Sequence, residues 1–227
     1  MQRIAFYDLD RTITRYPTYL PFLAYVVRRR NPWRILLAPV AAMGAVFYAA
    51  RLVSRSRLKE FNFRLFVGKS VSVADMEAMA KGFAERNLSR NTLTAATDRI
   101  AADKAEGYRV VIATASFGFY TRAYAKLLGI DDVVATGARI HEGDLFGRLE
   151  GDNCFGETKL TMVGNWLTEQ GIDRTAAHVR FYSDHHSDQH CLSWADEAFA
   201  ANPSRPLRRL AAARDWPVLE WRRIPQT

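Results

Sequence analysis

An apolar run that ends in acidic residues constrains the fold of this chain more than any other feature. The stretch Arg3–Leu9 is almost continuously apolar and lacks the alternation of a half-exposed strand. Runs of this kind are typical of central strands in a parallel sheet, where helices cover both faces. The run therefore predicts the first core strand of an α/β protein, with Asp8 and Asp10 near its carboxyl end.

Strands and helices alternate along the second half of the chain. Strands are predicted at Arg109–Ala113, within Val133–Leu149, and at Val179–Ser183, Ala198–Ala201 and Val218–Trp221. Helices are predicted at Thr92–Glu106, Gly118–Leu128, Gly156–Gln170, Asp188–Trp194 and Arg205–Arg214. This alternation predicts a doubly wound, Rossmann-like parallel sheet, in which ligands bind at the carboxyl ends of the strands.

The region from residue 16 to residue 99 has a different pattern, with apolar and basic helices and no clear strand. The predicted helices are Tyr19–Arg30, Trp33–Val53, Leu58–Phe66 and Val73–Asn87. We interpret this region as a helical cap, inserted into an α/β core that comprises residues 1–15 and 100–227.

Positive charge is concentrated in the first part of this cap. From Arg11 to Lys59 there are ten Lys or Arg and no Asp or Glu, in a chain whose formal net charge is +8. The rest of the chain is therefore close to neutral, and we expect something acidic to meet this segment. A nucleic-acid-binding module would explain the charge but not the acidic residues at strand ends, so no nucleic acid is expected as a partner.

Cysteine usage and the first residues favour a cytoplasmic location. The two cysteines, Cys154 and Cys191, have the spacing of neither a zinc site nor a disulfide framework, so reduced thiols are expected. The sequence ahead of the first strand lacks the pattern of a secretory signal.

Chemically reactive side chains follow three of the predicted strands, and a lysine begins the helix before the last of them. In chain order they are Asp8 and Asp10, Thr114, Lys159, and Asp184 and Asp188. Each is weak evidence alone, because Asp commonly caps helices and a lone Lys is usually solvated. Together they predict one site, since the carboxyl ends of parallel strands meet at one edge of a sheet.

With D-x-D-x-T at Asp8–Thr12, then Thr114, Lys159 and D-x-x-x-D at Asp184–Asp188, the chain resembles the haloacid dehalogenase superfamily of phosphatases. The resemblance covers essentially the whole chain, and the position of the insert is similar to that of the phosphoserine-phosphatase-like branch, subfamily IB. It implies a haloacid dehalogenase fold with a cap and a Mg²⁺-dependent phosphatase. One departure is Arg11, where the family usually has Gly; it is expected to restrict the loop or to add a cation near the phosphate.

The expected roles follow from what phosphoryl transfer requires, which is an in-line nucleophile and positive charge around the phosphate. Asp8 is the expected nucleophile, and Asp10 the acid for the leaving oxygen and then the base for water. Lys159 is expected to offset negative charge, and Thr114 to donate to the phosphate. The remaining predicted substrate-binding residues are Arg11, Ala115, Ser116 and Thr12, the last of which is expected to brace the loop by hydrogen bonding.

Several carboxylates beside a phosphate favour a hard dication with oxygen ligands, and Mg²⁺ is expected. The predicted ligands are the Asp8 carboxylate, the Asp10 carbonyl oxygen and Asp184, with Asp188 acting through water. Helix capping by Asp184 and Asp188 is the alternative. His185 and His186 are expected at the rim of the site, with contact to the substrate as the alternative.

Residues 35–50 form an uncharged run with basic residues on both sides. Such a run favours either an element that lies in the interface of an anionic membrane, at the inner face of the cytoplasmic membrane, or a buried cap helix. The chain also has a looser similarity to the phosphatidylglycerophosphatase C family, whose members are bacterial, membrane-associated enzymes. This similarity favours the element at the membrane interface over the buried cap helix. It implies a lipid phosphate such as phosphatidylglycerol phosphate as substrate; the alternative is a soluble phosphatase of a small metabolite such as phosphoserine.

Overall fold

The computed structural model describes residues 2–221, and its centre is an eight-stranded sheet. The strands are β1 (Gln2–Tyr7), β2 (Ser70–Ser72), β3 (Arg109–Phe117), β4 (Asp132–His141), β5 (Asp144–Glu150), β6 (Ala177–Ser183), β7 (Glu197–Ala201) and β8 (Val218–Leu219). Their order across the sheet is β2-β5-β4-β3-β1-β6-β7-β8. The predicted first strand is therefore central, and it pairs in parallel with β3 and β6.

Helices cover both faces of the parallel part of this sheet. The helices are α1 (Tyr19–Arg30), α2 (Ala38–Ala49), α3 (Arg55–Phe66), α4 (Val73–Asn91), α5 (Thr94–Ala105), α6 (Gly118–Leu127), α7 (Glu157–Glu169), α8 (Gln189–Trp194) and α9 (Arg205–Ala213). Ile4 and Phe6 of β1 pack with α7, α8 and α9, whereas Ala5 and Tyr7 pack with α5 and α6. Because successive side chains of a strand point to opposite faces, this split confirms the predicted doubly wound α/β fold.

One end of the sheet is antiparallel, which the alternation of strands and helices did not predict. The region Val133–Leu149 contains two strands, β4 and β5, joined by a tight turn at Glu142 and Gly143, which both have positive φ. Strand β2 pairs antiparallel with β5. The prediction of no strand in the cap region is therefore wrong, since three residues are too few to give a periodic signal.

The cap helices lie between β1 and β3 in the chain and share a core with the end of β3. Phe22 of α1, Phe63 of α3 and Phe83 of α4 belong to one buried cluster that includes Phe117 and Tyr120. A backbone bridge between Thr14 and Thr92 closes the insertion. The predicted domain boundaries at residues 15 and 100 stay a prediction, although α5 already packs on the core sheet through Ile100.

The predicted helix Trp33–Val53 is instead a 3₁₀ turn, Pro32–Leu37, followed by the shorter helix α2. None of the residues in Pro32–Ala49 is buried. The alternative of a buried cap helix is therefore wrong. Among residues 2–221 this stretch of 18 residues, with mean hydropathy 1.3, is the one helical segment long and apolar enough, by length and composition alone, to cross a membrane.

Candidate active site

The first strand, α7 and the turn after β6 place three charged side chains in direct contact. Lys159 Nζ lies 2.9 Å from Asp8 Oδ1 and 2.7 Å from Asp188 Oδ2. Ser183 Oγ donates to the same Asp188 oxygen at 2.7 Å. Burial alone would lower the pKa of Lys159, but the Asp188 and Asp8 carboxylates outweigh it and raise that pKa well above its usual range. The lysine is therefore a fixed positive charge beside Asp8.

Hydroxyl groups and a backbone nitrogen, rather than a cation, hold the carboxylate of Asp10. Its Oδ1 accepts hydrogen bonds from the backbone nitrogen and the hydroxyl of Thr18, at 2.8 and 2.7 Å. Its Oδ2 accepts from Ser116 Oγ at 3.1 Å. These bonds join the loop after β1, the start of the cap and the end of β3, and they fix the rotamer of Asp10.

Arg11 adopts a left-handed backbone conformation, with φ 65. Only Gly adopts this region without steric cost, which explains why Gly suits this position; Arg11 accepts a strain of order 1 kcal/mol. Asn202 Nδ2 donates to the Arg11 carbonyl at 3.2 Å, and the Arg11 nitrogen donates to Thr14 Oγ1 at 3.2 Å. The loop is thus stabilised from both sides, and Arg11 reaches the cavity described next.

Most of the predicted site residues line a single cavity of about 250 Å³. Its walls include Asp8, Asp10, Arg11, Thr114, Ala115, Lys159, Asp184 and Asp188. Ser116 instead lines a neighbouring cavity of about 360 Å³ toward the cap, where Asp10 and Ala115 also contribute. The prediction that the strand ends deliver these residues to one place is consistent with this geometry; their catalytic roles remain predictions.

Thr12 lies outside this arrangement. It is fully buried, and its Oγ1 has no hydrogen-bond partner within the described part of the chain. Thr14 braces the loop instead, because its hydroxyl shares its proton between the carbonyl oxygens of Leu9 and Tyr16, at 3.1 and 2.8 Å. The prediction that Thr12 braces the loop by hydrogen bonding is therefore wrong, and Thr12 does not line the cavity.

The buried carboxylates test whether a cation fits the site. Asp8, Asp184 and Asp188 are all at least 93% buried, and two of these carboxylates, those of Asp8 and Asp188, share a single cation, Lys159. Burial raises the pKa of Asp8 to about 7, against the lowering effect of Lys159. Asp188 Oδ1 is buried without a hydrogen-bond partner in the same range. This surplus of negative charge fits a bound dication.

No group of three or more His, Cys, Asp or Glu side chains within residues 2–221 is arranged to hold a metal ion. Mg²⁺ does not require such a group, since it keeps several waters and binds proteins through one or two carboxylates. The donor set predicted from the sequence, two carboxylates and the Asp10 carbonyl, is of that kind. The residues present therefore fit Mg²⁺, and the ion stays a prediction.

Asp188, the second acidic residue after β6, does not cap a helix. Asp188 stands before the first residue of α8, yet its side chain makes no capping hydrogen bond. His185 caps the turn His186–Asp188 instead, through Nδ1, which accepts from the backbone nitrogen of Ser187 at 3.2 Å. His185 also lines the cavity, whereas His186 is exposed and does not.

The sequence pattern did not predict that two cations of the cap and one aromatic side chain would lie at the site. Arg55 and Phe155 line the main cavity, with the guanidinium carbon of Arg55 4.2 Å from the ring centroid of Phe155. Lys59 is buried, and its Nζ donates to the Ala115 carbonyl at 2.7 Å and lies 3.8 Å from the ring centroid of Phe117. Burial and, to a smaller extent, the neighbouring Arg55 lower the pKa of Lys59 to about 7. A lysine in a helix that contains several basic residues usually indicates a solvated side chain, so only tertiary contacts place Lys59 here.

Comparison with known sequences gives the family. The model of haloacid dehalogenase-like hydrolases matches residues 5–193. A relative from Mycobacterium tuberculosis, named as a probable phosphatase, is 27% identical over 223 residues, which cover 96% of this chain and 75% of the relative. Protein CicA of Caulobacter vibrioides is 29% identical over 192 residues, which cover 84% of this chain and 82% of CicA.

Solved structures agree with the family match. A protein of unknown function from Bordetella pertussis has a TM-score of 0.88 and 25% identity, covering 97% of this chain and 99% of that one. A phosphoserine phosphatase, trapped as an analogue of its phospho-aspartyl intermediate, has a TM-score of 0.62 at 15% identity, over 98% and 94% of the two chains. This second likeness concerns the fold alone.

These matches confirm the expected superfamily, the expected capped fold of its phosphoserine-phosphatase-like branch, and a hydrolytic enzyme of the phosphatase type. These matches concern the family and the type of enzyme, and they do not give the substrate, the metal or the roles of single residues. The chain belongs to the haloacid dehalogenase-like hydrolase family.

Proposed function

We propose that this protein is a Mg²⁺-dependent phosphomonoesterase that works through an aspartyl-phosphate at Asp8 and acts on a lipid phosphate, such as phosphatidylglycerol phosphate, at the inner face of the cytoplasmic membrane. The observation that carries the chemistry is the contact between the carboxylate of Asp8 and the buried Lys159 on the wall of a polar cavity. The observation that carries the substrate class is the apolar segment Pro32–Ala49 of the cap, in which no residue is buried.

The first half of the reaction forms the aspartyl-phosphate. An Asp8 carboxylate oxygen attacks the phosphorus as the bond from phosphorus to the leaving oxygen breaks, and protonated Asp10 gives its proton to that oxygen. Lys159 and the Thr114 hydroxyl stabilise the charge on the phosphate oxygens. The bonds from Thr18 and Ser116 hold Asp10 on the cap side of the cavity, where a leaving group would lie.

The second half regenerates the enzyme. Water attacks the phosphorus and transfers a proton to the Asp10 carboxylate, and the bond from phosphorus to Asp8 breaks. Inorganic phosphate leaves, Asp8 returns as a carboxylate, and Asp10 is again protonated. Asp8, the Asp10 carbonyl and Asp184 would hold Mg²⁺, which supplies positive charge beside the phosphate.

The apolar segment favours a lipid substrate because of what surrounds it. Leu36 is 76% exposed and Val46 is 65% exposed, and basic residues precede and follow the segment. Apolar area fringed by cations is typical of elements that lie in the interface of anionic membranes. The cavity of about 360 Å³ is lined both by Tyr48 of α2 and by Asp10, so it connects this surface to the catalytic residues.

A segment lying in the interface agrees better with the fold than one that crosses the bilayer. The segment has α1 before it and α3 after it, and these helices touch, since Tyr19 Oη donates to the Lys59 carbonyl at 2.6 Å. A single crossing would place α1 and α3 on opposite sides of the membrane. The apolar segment would instead rest on one leaflet, with the phosphate headgroup reaching Asp8.

Phosphate release from a panel of substrates tests the proposal. The panel contains phosphatidylglycerol phosphate and phosphatidic acid in anionic vesicles, and phosphoserine and phosphocholine in solution, each with Mg²⁺ and with a chelator. Mg²⁺-dependent release from a lipid phosphate, abolished by Asp8→Asn, is the expected result. Release from phosphoserine or phosphocholine alone would overturn the lipid substrate, and full activity of Asp8→Asn would overturn the mechanism.

A flotation experiment with vesicles containing phosphatidylglycerol tests the membrane surface separately. We expect the protein to float with vesicles at low ionic strength, and a Leu36→Ser, Val46→Ser variant to float less. A protein that stays unbound and forms dimers lost in that variant would assign the segment to contact between two copies of this chain.

A further inference from the structure

A second large cavity, about 760 Å³, lies on the cap and shares no residue with the catalytic cavity. Five basic side chains and one carboxylate contribute to its walls. They are Arg34, Arg57, Arg64, Lys69, Arg148 and Glu60. A concave surface with this excess of positive charge focuses the electrostatic potential and attracts anions.

The cations of this cavity lack counter-charges. None of the five basic residues forms a salt bridge with a described acidic residue. The carboxylate of Glu60 accepts a hydrogen bond from the Leu149 nitrogen at 2.8 Å, so it is occupied by the backbone. Clustered cations repel one another, and a bound anion would relieve that repulsion.

Arg34 is held in place with a donor left over. Its Nη1 donates to the carbonyl oxygens of Arg64 and Leu65, at 3.2 and 3.0 Å, near the end of α3. Its Nε is buried and has no hydrogen-bond partner within residues 2–221. A buried donor without a partner costs free energy, which a ligand oxygen could recover.

The positive surface continues onto the antiparallel strands. A third cavity, about 240 Å³, shares Arg64, Lys69 and Arg148 with the large one and adds Arg139 and His141. The basic surface therefore spans the end of α3 and the β4–β5 hairpin, and it has room for a group larger than one phosphate.

The basic cavity adjoins the exposed apolar segment. Arg34 belongs to that segment, next to Trp33, which is 59% exposed. Phe61, another wall residue, lies against α2, where a side chain on Gly44 would meet its ring at 3.2 Å. A ligand that is anionic at one end and apolar at the other would satisfy both surfaces together.

We propose that this basic cavity, lined by Arg34, Arg57, Arg64, Lys69 and Arg148, binds the phosphate headgroup of an anionic phospholipid that is not the substrate. The proposal rests on the membrane location in the proposed function. The bound lipid anchors the cap at a second point beside the apolar segment and so holds the catalytic cavity against the membrane. The adjoining apolar segment favours a lipid over a nucleic acid, which needs no such surface.

Paired variants that remove the same charge from two places test this site. Arg64→Gln, Arg148→Gln changes two cavity residues, whereas Arg205→Gln, Arg209→Gln changes two exposed arginines of α9. Vesicles of phosphatidylcholine with phosphatidylglycerol are titrated with each protein. We expect the cavity variant to bind about 10- to 30-fold more weakly, because each cation near an anionic surface contributes to binding. The control variant is expected to bind as the unchanged protein does.

Two further measurements separate a built site from general attraction. Soluble dihexanoyl phosphatidylglycerol is expected to bind the unchanged protein and not the cavity variant, and dihexanoyl phosphatidylcholine to bind neither. Hydrolysis of p-nitrophenyl phosphate in solution is expected to be equal in all three proteins, which shows that the cavity variant is folded.

Several outcomes would overturn the site. They are equal vesicle binding by the cavity variant and the unchanged protein, equal losses in both variants, and tighter binding of a single-stranded RNA oligonucleotide than of phosphatidylglycerol vesicles. The two proposals also fail separately. If the protein hydrolyses a lipid phosphate and the cavity variant binds vesicles fully, the binding site is wrong and the proposed function stands. If the protein binds vesicles through the cavity but hydrolyses no lipid, the binding site stands and the proposed function is wrong.

Discussion

Two buried lysines lie at the candidate active site, one contributed by the core and one by the cap. Lys159 of α7 touches two carboxylates, Asp8 and Asp188. Lys59 of α3 donates to a carbonyl oxygen, that of Ala115, and forms no salt bridge with a described residue. Their pKa values move in opposite directions, since that of Lys159 rises well above its usual range and that of Lys59 falls to about 7.

This difference separates two tasks. The core side pairs its lysine with carboxylates that do not depend on the leaving group, so it is expected to act alike on any phosphate ester that enters. The cap side holds Lys59 and Arg55 without a carboxylate partner beside Lys59, in the cavity where a leaving group would lie. The core is therefore expected to govern the chemical step, and the cap to govern which leaving group is accepted.

Removing the core lysine is expected to have the largest effect. In Lys159→Met, kcat should fall about 10²- to 10³-fold on every substrate, because a preorganised positive charge beside the phosphate is lost. The variant should also lose roughly 3–5 kcal/mol of stability, since the buried Asp8 and Asp188 carboxylates keep no cation. Steady-state kinetics and urea unfolding measure the two effects.

Lys81→Met on the exposed face of α4 is the matched control and should change neither quantity. A Lys159→Met enzyme that loses activity with one leaving group and keeps it with another would contradict the division between core and cap.

Removing the cap lysine is expected to have a smaller and selective effect. In Lys59→Met, kcat/KM for a short-chain phosphatidylglycerol phosphate should fall about 10- to 100-fold, the range for a lost hydrogen bond to a charged group. For short-chain phosphatidic acid, whose leaving group is neutral, it should change little. The ratio of the two kcat/KM values measures the effect, and equal losses on both substrates would contradict it.

The pH dependence of the same ratio sharpens the test. Burial and Arg55 lower the pKa of Lys59 to about 7, against the raising effects of Cys154 and Asp10. The ring centroid of Tyr19 lies 6.0 Å from Lys59 Nζ. Lys59 is a cation below that pH and neutral above it, so preference for the anionic leaving group should decline as pH rises through about 7. In Lys59→Met the ratio should be flat, because the phosphate being transferred titrates alike in both substrates.

The core could be predicted from the sequence because its signals are local. Asp8, Thr114 and Asp184 each follow an apolar run, and an apolar run that ends in a polar residue predicts the same edge of a parallel sheet wherever it occurs. The central β1 and the alternation of strands with helices followed from the same patterns. The short β2 and the β4–β5 hairpin did not, since antiparallel pairing depends on a turn and on register rather than on composition.

The cap side could not be predicted in the same way. Lys59 and Arg55 lie in a basic helix, where sequence alone favours solvated side chains. Lys59 is buried because α3 packs over Phe117 at the end of β3, a contact between residues far apart in the chain. The loop that joins core and cap has the same ambiguity, since it contains two threonines, Thr12 and Thr14. The nitrogen of the left-handed Arg11 donates to Thr14 Oγ1, a contact that the sequence does not reveal.

This joining loop gives the smallest expected effect. Thr12→Val should leave kcat unchanged and should keep or raise the free energy of unfolding, by up to about 1 kcal/mol, because the buried Oγ1 has no partner to lose. Thr14→Val is the matched variant and should cost about 1–3 kcal/mol, since the Leu9 and Tyr16 carbonyls lose a donor. Urea unfolding measures both variants. A loss of activity in Thr12→Val without a loss of stability would mean that the loop moves on substrate binding and brings this hydroxyl to the phosphate, which would join the two sides of the comparison.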